Sequence, residues 1–206
     1  NSMSLGTAGL TAGACVKKIL DAKPSSSMPI LVSGATGGVG SVAVNLLSKL
    51  GFEVHAITGK PNEIKILNKM GASTIIDRHN FMSEPVKALD KANYSAGIDT
   101  VGGDILSKML SMISSHGSVA CCGNVAGMKF TSSVFPFILR GISLIGIDSA
   151  ESDINFKEQI WELFSKDWSL NLEEYSKVIS LHDIGNEITA ILNGAQIGRV
   201  VIKHGV

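Results

Sequence analysis

At 206 residues, with 45% apolar and only 17% charged residues, the chain can bury a substantial core and does not read as disordered. The 18 basic residues balance 18 acidic ones, which speaks against a nucleic-acid-binding face but leaves room for local recognition of one anionic group. No apolar run reaches the roughly 18 residues a membrane-spanning helix needs, and no basic stretch followed by an apolar one opens the chain. The expectation is a soluble protein in a reducing cytoplasm, with no nucleic-acid or membrane partner.

In chain order, residues 5–22 read as one amphipathic helix that ends near Lys23-Pro24. A β-branched run at 29–33 (PILVS) predicts a strand leading into a glycine-rich turn. Residues 41–50 show helical spacing, with Val42, Leu46, Leu47 and Leu50 on one side and Gly51 as the stop. A strand at 52–57, a helix at 62–70 stopped by Gly71, and a short strand at 73–77 follow. The stretch 79–95 is polar and irregular. Beyond it come a strand at 97–101, a helix at 104–114, and strands at 117–122 and 141–147 joined through a Phe135-Pro136-Phe137 connection. The last third predicts a helix at 153–165, a strand at 177–181, a helix at 183–193 and a strand at 199–203. Most strands are nearly unbroken apolar runs, which a parallel sheet covered on both faces requires. Alternation of strand and helix then argues for an α/β fold, a doubly wound parallel sheet flanked by helices.

Three cysteines, Cys15, Cys121 and Cys122, suggest neither a disulfide framework nor a metal site, and the five histidines are scattered. Cys121 and Cys122, in GSVACCG, read as small apolar residues of a buried strand.

The segment that carries chemistry is ILVSGATGGVGSVAV at 30–44. Gly34 allows a tight turn out of a strand, Gly37 and Gly38 leave room for a pyrophosphate against the backbone, and Gly40 lets the next helix pack closely. Free N–H groups and the helix dipole then face the phosphate. Strand before and helix after supply the context of a Rossmann dinucleotide site. Gly34, Thr36, Gly37, Gly38, Val39 and Gly40 are the cofactor contacts expected from this loop. A P-loop would need a lysine after its last glycine, and Gly40 is followed by Ser41. A short-chain reductase would carry Tyr-x-x-x-Lys, but Tyr94 and Tyr175 are followed four places on by Ile98 and Ile179.

The end of the second strand selects the cofactor. NAD sites usually place Asp or Glu there for the ribose hydroxyl. Here VHAITGKPNE offers Thr58 and Lys60, which favour a 2′-phosphate, with Arg78 beyond the third strand expected to approach it. A charge-assisted contact of roughly 1.5–3 kcal/mol gives about a 10- to 150-fold preference for NADPH.

GTAGLTA, GATGGVG, TGKP, IIDR, DTVGG, FPFILRGISLIGIDS and GRVVIK recur in order along essentially the whole chain. Together they resemble the zinc-free, NADPH-dependent quinone oxidoreductase and acrylyl-coenzyme A reductase branch of the medium-chain dehydrogenase/reductase superfamily. The resemblance implies an oxidoreductase passing hydride to a quinone or an α,β-unsaturated acyl-CoA or carbonyl acceptor. It implies one NAD(P)-binding domain over 1–206, with 170–206 partly returning to a catalytic domain that the chain lacks, so that the isolated chain is expected to be inactive. Thr7 is placed near the nicotinamide ribose. Gly102, Cys122, Gly123 and Asn124 lie along the cofactor, and Ile147, Asp148 and Ser149 meet the nicotinamide amide. Arg199 closes over the cofactor, and Arg140 caps a turn. Strand 141–147 is implied to be the sheet edge through which two copies form a homodimer. No residue reads as a catalytic proton donor; His79 and His116 are expected at the surface. Two other classes stay open: a non-catalytic dinucleotide-sensing domain, and a methyltransferase, disfavoured because the second strand ends without an acidic residue.

Overall fold

The computed structural model describes residues 2–204; Asn1, Gly205 and Val206, at the ends of the expected domain, lie outside the described residues. Six parallel strands form one sheet: β1 (Ile30–Val32), β2 (Val54–Thr58), β3 (Thr74–Asp77), β4 (Tyr94–Asp99), β5 (Ile113–Cys121) and β6 (Ser143–Gly146). Their order is β3-β2-β1-β4-β5-β6, with Val32 level with Ala56 on one side and Ile98 on the other. This is the expected doubly wound sheet, with β3 and β6 as its two edges.

Successive strand residues enter opposite cores, as a period of two dictates. Ile30 and Val32 join one core with Ala96, Ile98 and Ala120; Leu31 joins the other with Ile57 and Val119. The first core is covered by α1 (Ser2–Asp21), α2 (Gly38–Lys49), α3 (Ile64–Lys69) and α7 (Ile154–Ser165). The second is covered by α4 (Arg78–Phe81), α5 (Gly103–Ser111) and α6 (Phe135–Arg140). Burial on both faces explains the near-continuous apolar strands. Beyond the sheet, β7 (Ser176–Ser180) and β8 (Arg199–Lys203) pair in parallel as a separate two-stranded sheet, connected by α8 (Ile184–Leu192).

Several boundaries differ from the sequence reading. The fourth strand begins at Tyr94, inside the stretch read as irregular. Ser95 is buried there without penalty because its hydroxyl donates to the Met28 carbonyl at 3.0 Å. The helix expected to reach residue 114 ends at Ser111, and Ile113 already pairs with Tyr94. A register shift between Tyr94 and Ala96 then pushes His116 to the surface, at φ 63°. The Phe135-Pro136-Phe137 connection is the helix α6, with Pro136 in its first turn and Gly141 in the left-handed conformation at its end. Arg140 donates to the carbonyls of Ser111 (2.8 Å), Ile113 (2.9 Å) and Asp90, tying α6 to the start of β5. Helix α1 breaks at Gly6, and α2 starts at Gly38, three residues before the periodic apolar run. Cys121 and Cys122 are half-buried rather than core residues, because β5 ends there, at the rim of the crevice.

Asp99, fully buried at the end of β4, binds the sheet to the glycine turn. Its carboxylate accepts from Ser33 Oγ (2.7 Å), Gly102 N (2.8 Å) and Val101 N (3.3 Å). Replacing it with Ala leaves these donors buried and unpaired. Asp99→Ala is expected to cost roughly 2–4 kcal/mol in urea unfolding; a loss below about 0.5 kcal/mol, ordinary for a surface change, would contradict this role.

Candidate dinucleotide site

The site opens where the strand order reverses, between the carboxyl ends of β1 and β4. Gly34 leaves β1 at φ 59°, a conformation that favours glycine. Gly40, in the first turn of α2, lies so close to the exit from β1 that a Cβ would stand 2.3 Å from the Gly34 carbonyl oxygen. The contact draws the N-terminus of α2 against the end of β1. Gly37 occupies the cap position in extended backbone; no side chain caps this end, and no acid stands in the first turn. The helix therefore presents N–H groups and the positive end of its dipole to the crevice.

A cavity of about 660 Å³ lies in front of this terminus. Gly34, Thr36, Gly37, Gly38 and Val39 form its floor, and Lys60, Arg78 and Arg199 also line it. Lys60 follows β2, and its ammonium donates to the Gln196 carbonyl. Burial lowers its pKa from the ordinary 10.5, with Glu63 opposing. Arg78, exposed at the start of α4, lays its guanidinium over Gly59, whose Cβ would stand 2.9 Å from the guanidinium carbon. Arg199 reaches from β8 to the kink in α1, donating from Nε to the Ser4 carbonyl at 3.0 Å. Burial pushes its pKa down too.

Three residues singled out in the sequence stand behind the wall. Gly40 is spent on packing. Thr58 is buried, its hydroxyl accepting from Lys60 N at 3.0 Å and lying 3.3 Å from Thr36 Oγ1. Gly102 is buried in the turn after β4, at φ 71°, and bridges to Gly127.

A second cavity, of about 560 Å³, continues along the ends of β5 and β6. It gathers Cys122, Gly123, Asn124, Ile147 and Asp148 with Cys121 and Gly146. Cys121 Sγ donates to Asp99 Oδ2 at 3.7 Å, and burial followed by that carboxylate raises its pKa to about 11. The Asp148 carboxylate accepts from Ala150 N and Glu151 N at 3.1 and 3.0 Å, holding its own turn. Ser149 Oγ lies 2.6 Å from Thr11 Oγ1, which donates to the Thr7 carbonyl at 2.8 Å. Thr7 is thereby tied to the end of β6 through one hydroxyl pair, although it lines neither cavity.

Sequence reasoning did not assign Asn193, Gly194, Gln196 and Gly198, which also line the first cavity. The only signal was a pair of glycines, Gly194 and Gly198, four positions apart at the start of GRVVIK. Among the described residues no three His, Cys, Asp or Glu side chains gather to hold a metal ion, and no helix is long and apolar enough to cross a membrane.

A glycine turn under a helix terminus at the switch point of such a sheet defines a domain of the dinucleotide-binding α/β class. Residues 38–166 match the family described as zinc-binding dehydrogenase, and the chain belongs to that family, within the medium-chain dehydrogenase/reductase superfamily. The described residues supply no donor set for the metal in that description. A Bacillus subtilis protein named for quinone oxidoreductase activity, YhfP, is 38% identical over 205 residues, 98% of this chain and 62% of its own. The acrylyl-CoA reductase AcuI of Ruegeria pomeroyi is 36% identical over 203 residues, again 98% and 62%. The solved yhdH oxidoreductase from Salmonella enterica, in complex with NADP, superposes with a TM-score of 0.95 at 36% identity, covering 100% of this chain and 63% of that one. The solved yhfP protein, with NAD bound, gives 0.93 at 37% identity, covering 98% and 62%. The chain thus spans about 62% of the length of these curated relatives.

A side chain at Gly38 would enter the cavity mouth, its Cβ 2.9 Å from Arg199 Nη1 and 3.4 Å from the Ala8 Cβ. Gly38→Val is expected to weaken dinucleotide binding about tenfold or more, read by fluorescence titration, with the unfolding midpoint little changed. Wild-type affinity in this variant would place the dinucleotide elsewhere.

Proposed function

We propose that the chain is the NADPH-holding part of an oxidoreductase that passes hydride to a quinone or to an α,β-unsaturated acyl-CoA or carbonyl acceptor. The observation that carries this reading is the sign of the first cavity: Lys60, Arg78 and Arg199 line it, and no Asp or Glu among the described residues does. An acid at the end of β2 would repel a 2′-phosphate; a lysine attracts it. The glycine floor fits a pyrophosphate, since a Cβ at Gly38 would fill the space it needs.

In this assignment the backbone of Gly37, Gly38 and Val39 lies under the pyrophosphate, beside Gly34 and Thr36. Lys60 and Arg78 hold the 2′-phosphate, with Thr58 fixing the turn beneath Lys60 and Gly40 and Gly102 shaping the floor. Arg199 closes the mouth. Cys122, Gly123, Asn124, Ile147 and Asp148 surround the nicotinamide end, with Thr7 and Ser149 at its border. Bound NADPH supplies the hydride, and the chain supplies position and electrostatics. No catalytic residue is named.

The acceptor names of the relatives support the substrate class, and the NADP in the Salmonella relative supports the cofactor. The NAD in yhfP makes cofactor preference the point to test. Turnover is assigned to a longer protein that adds a catalytic domain, with 170–206 contributing to it, and the chain alone is expected to bind without oxidising NADPH. A second reading, a non-catalytic dinucleotide-sensing domain, is favoured by one observation: no His or Tyr among the described residues lines either cavity. NADPH oxidation by the longer protein with a quinone or enoyl-CoA separates the two, since the sensing domain gives none.

The reading extends to a cytoplasmic homodimer joined through β6. That strand is one of the two sheet edges, and Phe135, Ile138 and Leu139 of the neighbouring α6 are exposed. An uncovered apolar edge invites pairing with a second copy. Light scattering at micromolar concentration should give twice the chain mass; a monomer would rule the interface out.

The cofactor assignment also sets a pH dependence. Lys60 attracts the phosphate only when protonated, and its pKa lies below the ordinary 10.5. Calorimetry should therefore show an NADPH over NADH preference that holds at neutral pH and declines as pH rises through this depressed value. Lys60→Met should keep only the smaller preference that Arg78 supplies, with no such decline. An unchanged preference in Lys60→Met would refute the assignment.

A further inference from the structure

The cation assigned to the 2′-phosphate is not free in space. Lys60 Nζ donates to the main-chain carbonyl of Gln196, in the segment between α8 and β8. The same segment is tied to two other walls of the cavity. Gly198 N donates to the Thr36 carbonyl in the glycine turn, and the next residue, Arg199 at the start of β8, donates from Nε to the Ser4 carbonyl in α1, both at 3.0 Å. Gly194 and Gly198 set its path at φ 64° and 61°, conformations that favour glycine. A Cβ on Gly198 would stand 2.3 Å from the Tyr175 carbonyl oxygen, so the path is fixed by backbone on both sides.

A lysine ammonium has three N–H donors. One is used by Gln196, which leaves two for an anion. A lysine on an open surface samples many rotamers, and a ligand that orders it offsets that loss against its own binding. Lys60 is already ordered. Among the described residues its ammonium donates to a neutral carbonyl, and burial outweighs the nearby Glu63 in disfavouring its charge; a phosphate would add counter-charge.

We propose that residues 193–198 form a strap that sets cofactor selectivity, the Gln196 carbonyl acting as the positioning group that aims Lys60 into the cavity. Discrimination between phosphorylated and unphosphorylated dinucleotides then belongs to the lysine and the strap together. The inference rests on the NADPH reading above, because it assigns the group that Lys60 meets.

Gly198→Ala displaces the strap without touching Lys60. It is expected to weaken NADPH binding about tenfold more than NADH binding. In the double variant with Lys60→Met it should add nothing to the lost preference. Equal weakening of both cofactors by Gly198→Ala, or intact preference, overturns the strap while leaving the NADPH site standing. If Lys60→Met itself keeps the preference, the cofactor reading fails and the strap with it. A measurement that needs no cofactor guards against a misfolded alanine variant. Hydrogen exchange at the Gly198 amide should quicken in cofactor-free Lys60→Met, and an unchanged rate overturns the anchoring.

Discussion

Everything in the site depends on a contact that contains no side chain: the backbone of α2 resting on the turn that leaves β1. With a Cβ at Gly40 only 2.3 Å from the Gly34 carbonyl oxygen, that approach is closed to any other residue without backbone movement. It fixes the N-terminus of α2 at the end of β1. Because β4 returns to the opposite side of β1, the terminus opens into a crevice rather than onto a packed helix. Asp99 secures the other wall, since one buried carboxylate holds both Ser33, beside the turn, and the backbone after β4.

Electrostatics follow from this geometry. The chain is neutral overall, yet the crevice gathers a helix terminus, two arginines and a lysine from four separate regions of the sequence. Burial lowers the pKa of both Lys60 and Arg199, so each is held at some electrostatic cost in the absence of an anion. A cavity that concentrates positive charge on a balanced protein is built for one ligand rather than for a charged surface.

Much of the fold was legible because parallel strands buried on both faces leave unbroken apolar runs, and because glycine punctuates the loop at 34–40. Where the reading slipped, a tertiary contact had overridden a local signal. Ser95 looked like loop until its hydroxyl found the Met28 carbonyl, and Ile113 looked helical until it paired with Tyr94. Within the site, charged residues at strand ends could be read, since charge next to a glycine loop is informative by itself. The segment at 193–198 could not. It meets the cavity walls through main-chain carbonyls and amides that every residue carries, so only the fold reveals that Gln196 meets Lys60. The hydroxyl pair of Thr11 and Ser149, 138 positions apart, was hidden for the same reason.

The central claim is that the basic end of the first cavity takes the 2′-phosphate of NADPH. A crystal structure of the chain with NADPH tests it most directly. The account predicts density for that phosphate within hydrogen-bonding distance of Lys60 Nζ and the Arg78 guanidinium, with the pyrophosphate over Gly37 and Gly38. A dinucleotide bound with its phosphate turned away from both cations would contradict it.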